Sequence, residues 1–223
     1  GGRHTFTVSI KEGKAVWNCY KASCRARGAA PVSLSRSDLE KRVYKSYELT
    51  PQSNLIYDRP TNFSSFFPPK MTRYMDKNNV TESWRDGRVD LYHDVVQDRC
   101  VFIIKSSGKP VDAVGRALGR GTKWHRYKST GEPFLSGTGE VMYIVEDAAS
   151  ACAVSKYGVG MALLGTSMSD RALAIAKTYD NCVVCLDKDA SKKSLSLTIR
   201  LKQYTKATMR VLKVDPKEYP EGV

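Results

Sequence analysis

The stretches VMYIVED (residues 141–147) and NCVVCLDKD (residues 181–189) decide the fold, because each is a short apolar run that ends on acidic residues. An unbroken apolar run is typical of a buried parallel strand, and open α/β sheets place their sites at the carboxyl ends of such strands. We therefore expect Glu146, Asp187 and Asp189 to meet at one edge of a parallel sheet. Carboxylates gathered in this way repel one another unless a cation lies among them.

The acidic residues predict a site for Mg²⁺ or Mn²⁺. Asp187 and Asp189 are two positions apart, and alternate residues of an extended chain point the same way, so we expect both to face one ion. Such ions pair a few carboxylates with phosphate oxygens, which suits phosphoryl or nucleotidyl transfer. Asp215 is either a further ligand or a solvated turn residue. The alternative for the whole set is a group of acidic caps at helix N-termini.

The pattern around these stretches predicts an α/β protein. From residue 141, strands at 141–146, 161–164, 182–187 and 209–213 alternate with helices at about 147–157, 169–178 and 191–205, which favours a parallel sheet flanked by helices. Upstream, residues 1–28 predict a β hairpin, residues 29–87 a linker with short helices at 37–47 and within 68–83, and residues 88–118 three strands. We expect four segments: residues 1–28, 29–87, 88–139 and 140–223.

The charge of the chain indicates a polyanionic partner. The 223 residues carry 36 Lys and Arg against 23 Asp and Glu, a net charge of +13, and nucleic acid is the leading candidate for so basic a protein. Basic and aromatic residues that alternate suit a single strand, since cations track phosphates and rings stack on bases. The alternative is an exposed loop. The candidate binding residues between positions 99 and 128 are Arg99, Arg116, Arg120, Lys123, Trp124, Arg126, Tyr127 and Lys128.

The six cysteines do not form a disulfide framework, because several lie in apolar strand or helix patterns where a free thiol packs as a small apolar group. Cys19 and Cys24 follow the hairpin and are either half of a zinc site or two free thiols, since a structural zinc ion takes four ligands. No apolar run approaches the length of about 20 residues that a membrane span needs, and no signal peptide is evident. We expect a cytoplasmic protein with no membrane contact.

On these residues the chain resembles the catalytic core of DNA primases of the bacterial and phage Toprim type. VEDAASACAV (residues 145–154) stands where the family carries its Glu motif, and CLDKDASKKS (185–194) is similar to its DxD segment. VLKVDPKEYPEG (211–222) looks like its closing acid-bearing strand end. Residues 99–127 are similar to the basic subdomain that precedes the Toprim domain, and residues 4–28 to the second half of a zinc ribbon whose first ligand pair would lie before Gly1.

The resemblance implies a Toprim-type sheet preceded by a basic mixed α/β subdomain and a partial zinc-ribbon-like hairpin. It implies metal-dependent synthesis of short RNA primers from nucleoside triphosphates on single-stranded DNA, in a host cell's cytoplasm for a phage protein, with a replicative helicase as partner. Glu146 would carry metal or act as general base, and Arg99, Arg116 and Lys123 would hold template and nucleotide. Fold alone does not fix activity, so a Toprim-type nuclease and a non-catalytic basic DNA-binding module remain alternatives.

Overall fold

Three antiparallel strands make up the described part of the first of two units. The computed structural model describes residues 6–11, 13–19, 27–31, 57–165 and 167–218, and it divides into units of residues 1–50 and 51–223. In the first unit, β1 (Phe6–Lys11) pairs with β2 (Lys14–Cys19), which confirms the predicted hairpin, and β2 pairs with β3 (Arg27–Pro31). β3 was not predicted, because RGAAP shows no apolar alternation.

The zinc prediction concerns positions that the structure leaves undescribed. Cys24, the side chain of Cys19 and the helix predicted over residues 37–47 all lie outside the described residues. Both the zinc site and that helix therefore stay predictions.

An antiparallel sheet of five strands opens the second unit, in the order β4-β5-β6-β7-β8. Its strands are β4 (Phe63–Ser64), β5 (Leu91–Asp94), β6 (Arg99–Ser106), β7 (Lys109–Ala117) and β8 (Trp124–Arg126). Helices α1 (Pro69–Lys77) and α2 (Thr81–Arg85) lie between β4 and β5 in the chain. β8 was not predicted, because its polar and basic sequence carries no strand periodicity.

β6 is buried on both faces at the centre of this sheet. Phe102 and Ile104 belong to a core cluster that includes Met71 and Met75 of α1. The alternate residues Val101 and Ile103 pack with Phe63 on the other face. The apolar run VFII predicted a strand, and burial of both faces is its physical reason.

A second sheet contains the four parallel strands that the alternating pattern predicted. It comprises β9 (Phe134–Ser136), β10 (Val141–Val145), β11 (Val159–Ala162), β12 (Asn181–Val184) and β13 (Lys206–Met209), and its order is β13-β12-β10-β11-β9. β10 is parallel to both β11 and β12, and β12 is parallel to β13. The edge strand β9 runs antiparallel to β11 and was not predicted.

Three helices connect the parallel strands and cover both faces of the sheet. They are α3 (Ala148–Val154), α4 (Asp170–Ala176) and α5 (Ser191–Leu201). Met142 and Ile144 of β10 pack in one core cluster with residues of α4 and α5, whereas Val145 packs in another with α3. A mixed α/β fold is thus confirmed, with five α helices among the described residues.

Two local predictions at the end of the chain need correction. The strand predicted at 182–187 ends at Val184, and the N–H of Ala190 donates to the carbonyl of Asp187 at 2.9 Å, so these residues form a turn. The last strand lies at Lys206–Met209 rather than at 209–213.

Among the described residues, every helix is too short or too polar to cross a membrane.

Candidate functional site

Acidic residues from three neighbouring strands meet at the carboxyl edge of the parallel sheet. Glu146 follows β10, Asp187 follows β12, and Asp215 follows β13, and these three strands are adjacent and parallel. Asp147 is the N-cap of α3, where its Oδ1 accepts the N–H of Ser150 at 2.9 Å. The parallel register therefore directs four carboxylates toward one edge.

The ammonium group of Lys217 lies among the aspartates. Its Nζ is 3.0 Å from Oδ2 of Asp147, 3.1 Å from Oδ2 of Asp215 and 3.7 Å from Oδ2 of Asp187. Burial lowers the pKa of Lys217, but these carboxylates raise it by more, so it lies above the ordinary lysine value. Lys217 is therefore charged at neutral pH.

Glu146 faces a different lysine. Nζ of Lys193, in the first turn of α5, lies 3.3 Å from Oε1 of Glu146 and 3.4 Å from the carbonyl oxygen of Gly165. Both side chains keep about a third of their surface exposed, 28% for Glu146 and 30% for Lys193. This pair is thus open to solvent, in contrast to the side chain of Lys217, of which 11% is exposed.

Asp187 is the carboxylate with unused bonding capacity. Its Oδ1 is buried and has no hydrogen-bond partner among the residues that the structure describes. The pKa of Asp187 is raised to about 6. Burial is the largest cause, Lys217 opposes the rise, and the carboxylates of Asp215, Asp147 and Glu146 add to it. Negative charge at this edge is therefore incompletely balanced.

The carboxylate oxygens at this edge are of the kind that bind Mg²⁺ or Mn²⁺. However, the position between Asp147, Asp187 and Asp215 is occupied by the ammonium group of Lys217. Within the described ranges, no group of three or more His, Cys, Asp or Glu side chains is arranged to hold a metal ion. Mg²⁺ is nonetheless usually held by one or two carboxylates together with substrate phosphates, and carboxylate oxygens also suit Mn²⁺. Glu146 and the unpartnered Oδ1 of Asp187 are the oxygens that could serve.

Asp189 does not share the surroundings of Asp187. The prediction placed both on an extended strand, but residues 187–190 form a turn and Asp189 is exposed. The largest carboxylate effects on Asp187 come instead from Asp215, Asp147 and Glu146. A role for Asp189 in metal binding stays a prediction.

Two arginines of the predicted basic segment are engaged inside the fold. Arg99 is 7% exposed, and its Nη1 donates to the carbonyl oxygens of Gly115 and Thr122 at 3.3 and 2.9 Å. Nε of Arg126 donates to Oδ2 of the fully buried Asp112 at 2.7 Å. Both guanidinium groups therefore serve local structure.

Other members of the segment lie at the surface. Arg120, Lys123 and Lys128 are exposed. The Arg116 guanidinium lies 5.8 Å from the ring centroid of the half-buried Trp124. Since the single acid of the segment, Asp112, is buried and paired with Arg126, it does not neutralise this exposed charge.

Tyr127 faces inward in part. Its hydroxyl donates to Oδ2 of Asp94 at 2.6 Å, and its ring packs edge-on against Phe63 and His125. These contacts hold β8 and the following loop to the antiparallel sheet, and they leave Tyr127 half-buried.

Sequence reasoning missed three residues of this edge: Asp147, Lys193 and Lys217. Asp147 had a signal, because an aspartate before an alanine-rich helix is typical of an N-cap. Lys217 had none, since its contact depends on how residues 210–218 return toward α3 after β13 ends.

The chain is similar to the primase fragment of the bacteriophage T7 primase-helicase protein, with a TM-score of 0.47 and 15% sequence identity, covering 92% of this chain and 88% of that one. No family model matches the sequence, and no curated protein matches it.

Proposed function

We propose that this chain is the catalytic core of a Toprim-type DNA primase, which joins ribonucleotides on a single-stranded DNA template with Mg²⁺ or Mn²⁺. The observation that carries the proposal is the unpartnered Oδ1 of Asp187 at an edge where four carboxylates converge. An unpaired buried oxygen in so acidic a setting is costly unless a cation contacts it. The sequence resemblance supplies the reaction type.

The carboxylates would have distinct tasks in this reaction. Glu146 and Asp187 would hold the ion, with Asp189 as a further ligand. The bound ion would supply Lewis acidity toward the phosphate that is attacked. Asp147 and Asp215 are already paired with Lys217, so they would keep Lys217 in place.

Lys193 is the residue best placed to meet the triphosphate. It is part-exposed, it stands beside Glu146, and it lies in the first turn of α5, where the positive end of the helix dipole also favours phosphate. A lysine there would orient the triphosphate and offset charge as pyrophosphate leaves.

Basic residues of β7 and of the loop between β7 and β8 would hold the template. Arg116, Arg120 and Lys123 would contact phosphates, and the half-buried Trp124 would stack with a base. Arg99 and Arg126 were also predicted to bind nucleic acid, but their internal hydrogen bonds favour a supporting role.

A primer-synthesis assay tests the proposal. The full chain is incubated with a panel of single-stranded DNA templates, labelled ribonucleoside triphosphates and Mg²⁺ or Mn²⁺. The expected products are short, template-dependent oligoribonucleotides that EDTA abolishes. A parallel reaction without nucleotides detects template cleavage, which would indicate a Toprim-type nuclease instead.

A non-catalytic DNA-binding module is the second candidate, and the position of Lys217 favours it. An ammonium group that fills the centre of the aspartates gives the edge a permanent cation. This candidate predicts salt-dependent DNA binding that is indifferent to divalent ions, with neither synthesis nor cleavage.

A further inference from the structure

Lys217 is the buried cation of the carboxylate edge, and its surroundings fix its position. The short 3₁₀ helix Pro216–Glu218 begins directly after Asp215, and the N–H of Glu218 donates to the carbonyl of Asp215 at 2.9 Å. The backbone carbonyl of Lys217 accepts from Nδ2 of Asn79 at 2.8 Å. Backbone and side chain are thus both held, which distinguishes this lysine from a mobile surface side chain.

The partners of Lys217 divide the carboxylates into two pairs. Asp147 and Asp215 lie within hydrogen-bond distance of its ammonium, whereas Asp187 is farther, at 3.7 Å. Asp147 is further fixed by the N–H of Ser150. The pair that remains for an ion is Asp187, with its unpartnered Oδ1, and Glu146, which is paired with the more exposed Lys193.

The charges at this edge leave room for a single divalent ion. Glu146, Asp147, Asp187 and Asp215 carry four negative charges, and Lys217 and Lys193 carry two positive charges. The exposed neighbours Lys188 and Asp189 add one charge of each sign, so they do not change this balance. One divalent cation balances the remainder. A second divalent ion would lie close to the Lys217 ammonium, because both would need the same carboxylate oxygens. Like charges at such distances repel strongly in a poorly solvated site.

We propose that Lys217 supplies the positive charge that a second metal ion would otherwise bring, so that this edge binds one divalent cation, at Glu146 and Asp187. The inference rests on the metal dependence of the proposed function. It assigns Lys217 as a positioning residue that holds Asp147 and Asp215 and sets the number of ions.

Counting bound Mn²⁺ tests this inference without any activity measurement. The metal-free full chain is titrated with Mn²⁺, and free ion is quantified by electron paramagnetic resonance. The wild type should bind one Mn²⁺ per chain, and Asp187→Asn should lose it. Lys217→Met should bind two, because Asp147 and Asp215 are released. Lys192→Met removes an exposed lysine of α5, and this charge-matched control should still bind one.

The outcomes separate this inference from the proposed function. Two ions in the wild type, or one ion in a folded Lys217→Met variant, overturns the inference and leaves metal-dependent synthesis intact. No bound Mn²⁺ in the wild type overturns both. If Lys217→Met does not fold, the wild-type count decides: one ion lost in Asp187→Asn supports the inference, and two ions contradict it.

Discussion

Nε of Arg126 donates to Oδ2 of Asp112 at 2.7 Å, and the side chain of Asp112 is fully buried. The other donors to Asp112 are the backbone N–H groups of Ala113, Lys128 and Thr130 and the Thr130 hydroxyl. Arg126 also donates to the carbonyl of Glu132. One ion pair thus joins β7, β8 and the loop that leads to β9.

Arg126→Ala should reduce the free energy of unfolding by about 3 kcal/mol, since it leaves a buried carboxylate without its charged partner. Urea unfolding followed by circular dichroism measures the loss. Arg120→Ala is the matched control, because Arg120 is exposed and surface substitutions usually change stability by less than about 0.5 kcal/mol. Equal stability of the two variants would show that the ion pair does not hold this region.

Acid should remove the contribution of Asp112 to stability. Burial raises the pKa of Asp112, but the hydrogen bond from Arg126 and those from backbone N–H groups lower it by more, so it lies below the ordinary value. Its contribution is fully present above the unfolded aspartate pKa of about 3.9 and is lost as pH falls through the lower folded pKa. The advantage of wild type over Asp112→Asn should therefore be constant at pH 5–7 and shrink below pH 4. A stability advantage of wild type that grows on acidification would contradict this prediction.

The exposed basic residues should set DNA affinity without affecting the fold. The double variant Arg120→Ala with Lys123→Ala should bind single-stranded DNA more weakly. The slope of log affinity against log salt should become less negative by about 1.4, or about 0.7 for each lost phosphate contact. Fluorescence anisotropy at several salt concentrations measures the slope. Lys192→Met serves as the charge control, and an unchanged slope in the double variant would place the DNA elsewhere.

Close backbone packing should make Gly160 intolerant of a side chain. A Cβ at Gly160 would lie 2.1 Å from the carbonyl oxygen of Ala151 in α3, so Gly160→Ala must displace the helix that follows Asp147. We expect a loss of about 1–3 kcal/mol in unfolding free energy. Gly165→Ala is the control, because a Cβ there meets nothing within 4 Å. Similar melting temperatures of the two variants would mean that α3 can shift freely.

The apolar runs before Glu146 and Asp187 predicted the parallel strands, because burial on both faces leaves a clear trace in sequence. The turn at residues 187–190 was missed, since a run of apolar residues does not say where a strand ends. β8 was missed because its residues are polar and basic, and β9 was missed because it has only three residues. The difference between Arg126 and Lys123 could not be read from composition, because it depends on which of them reaches the buried Asp112. The position of Lys217 likewise depends on tertiary contacts with α3 and Asn79.

Primer synthesis by Asp187→Asn and Asp180→Asn tests the central claim most directly. Both aspartates flank β12, but Asp180 is exposed at its amino end whereas Asp187 lies at the carboxyl edge. With Mg²⁺ or Mn²⁺, ribonucleotides and single-stranded template, Asp180→Asn should make primers at the wild-type rate. Asp187→Asn should make none while it still binds DNA. Undiminished synthesis by folded Asp187→Asn would contradict the account.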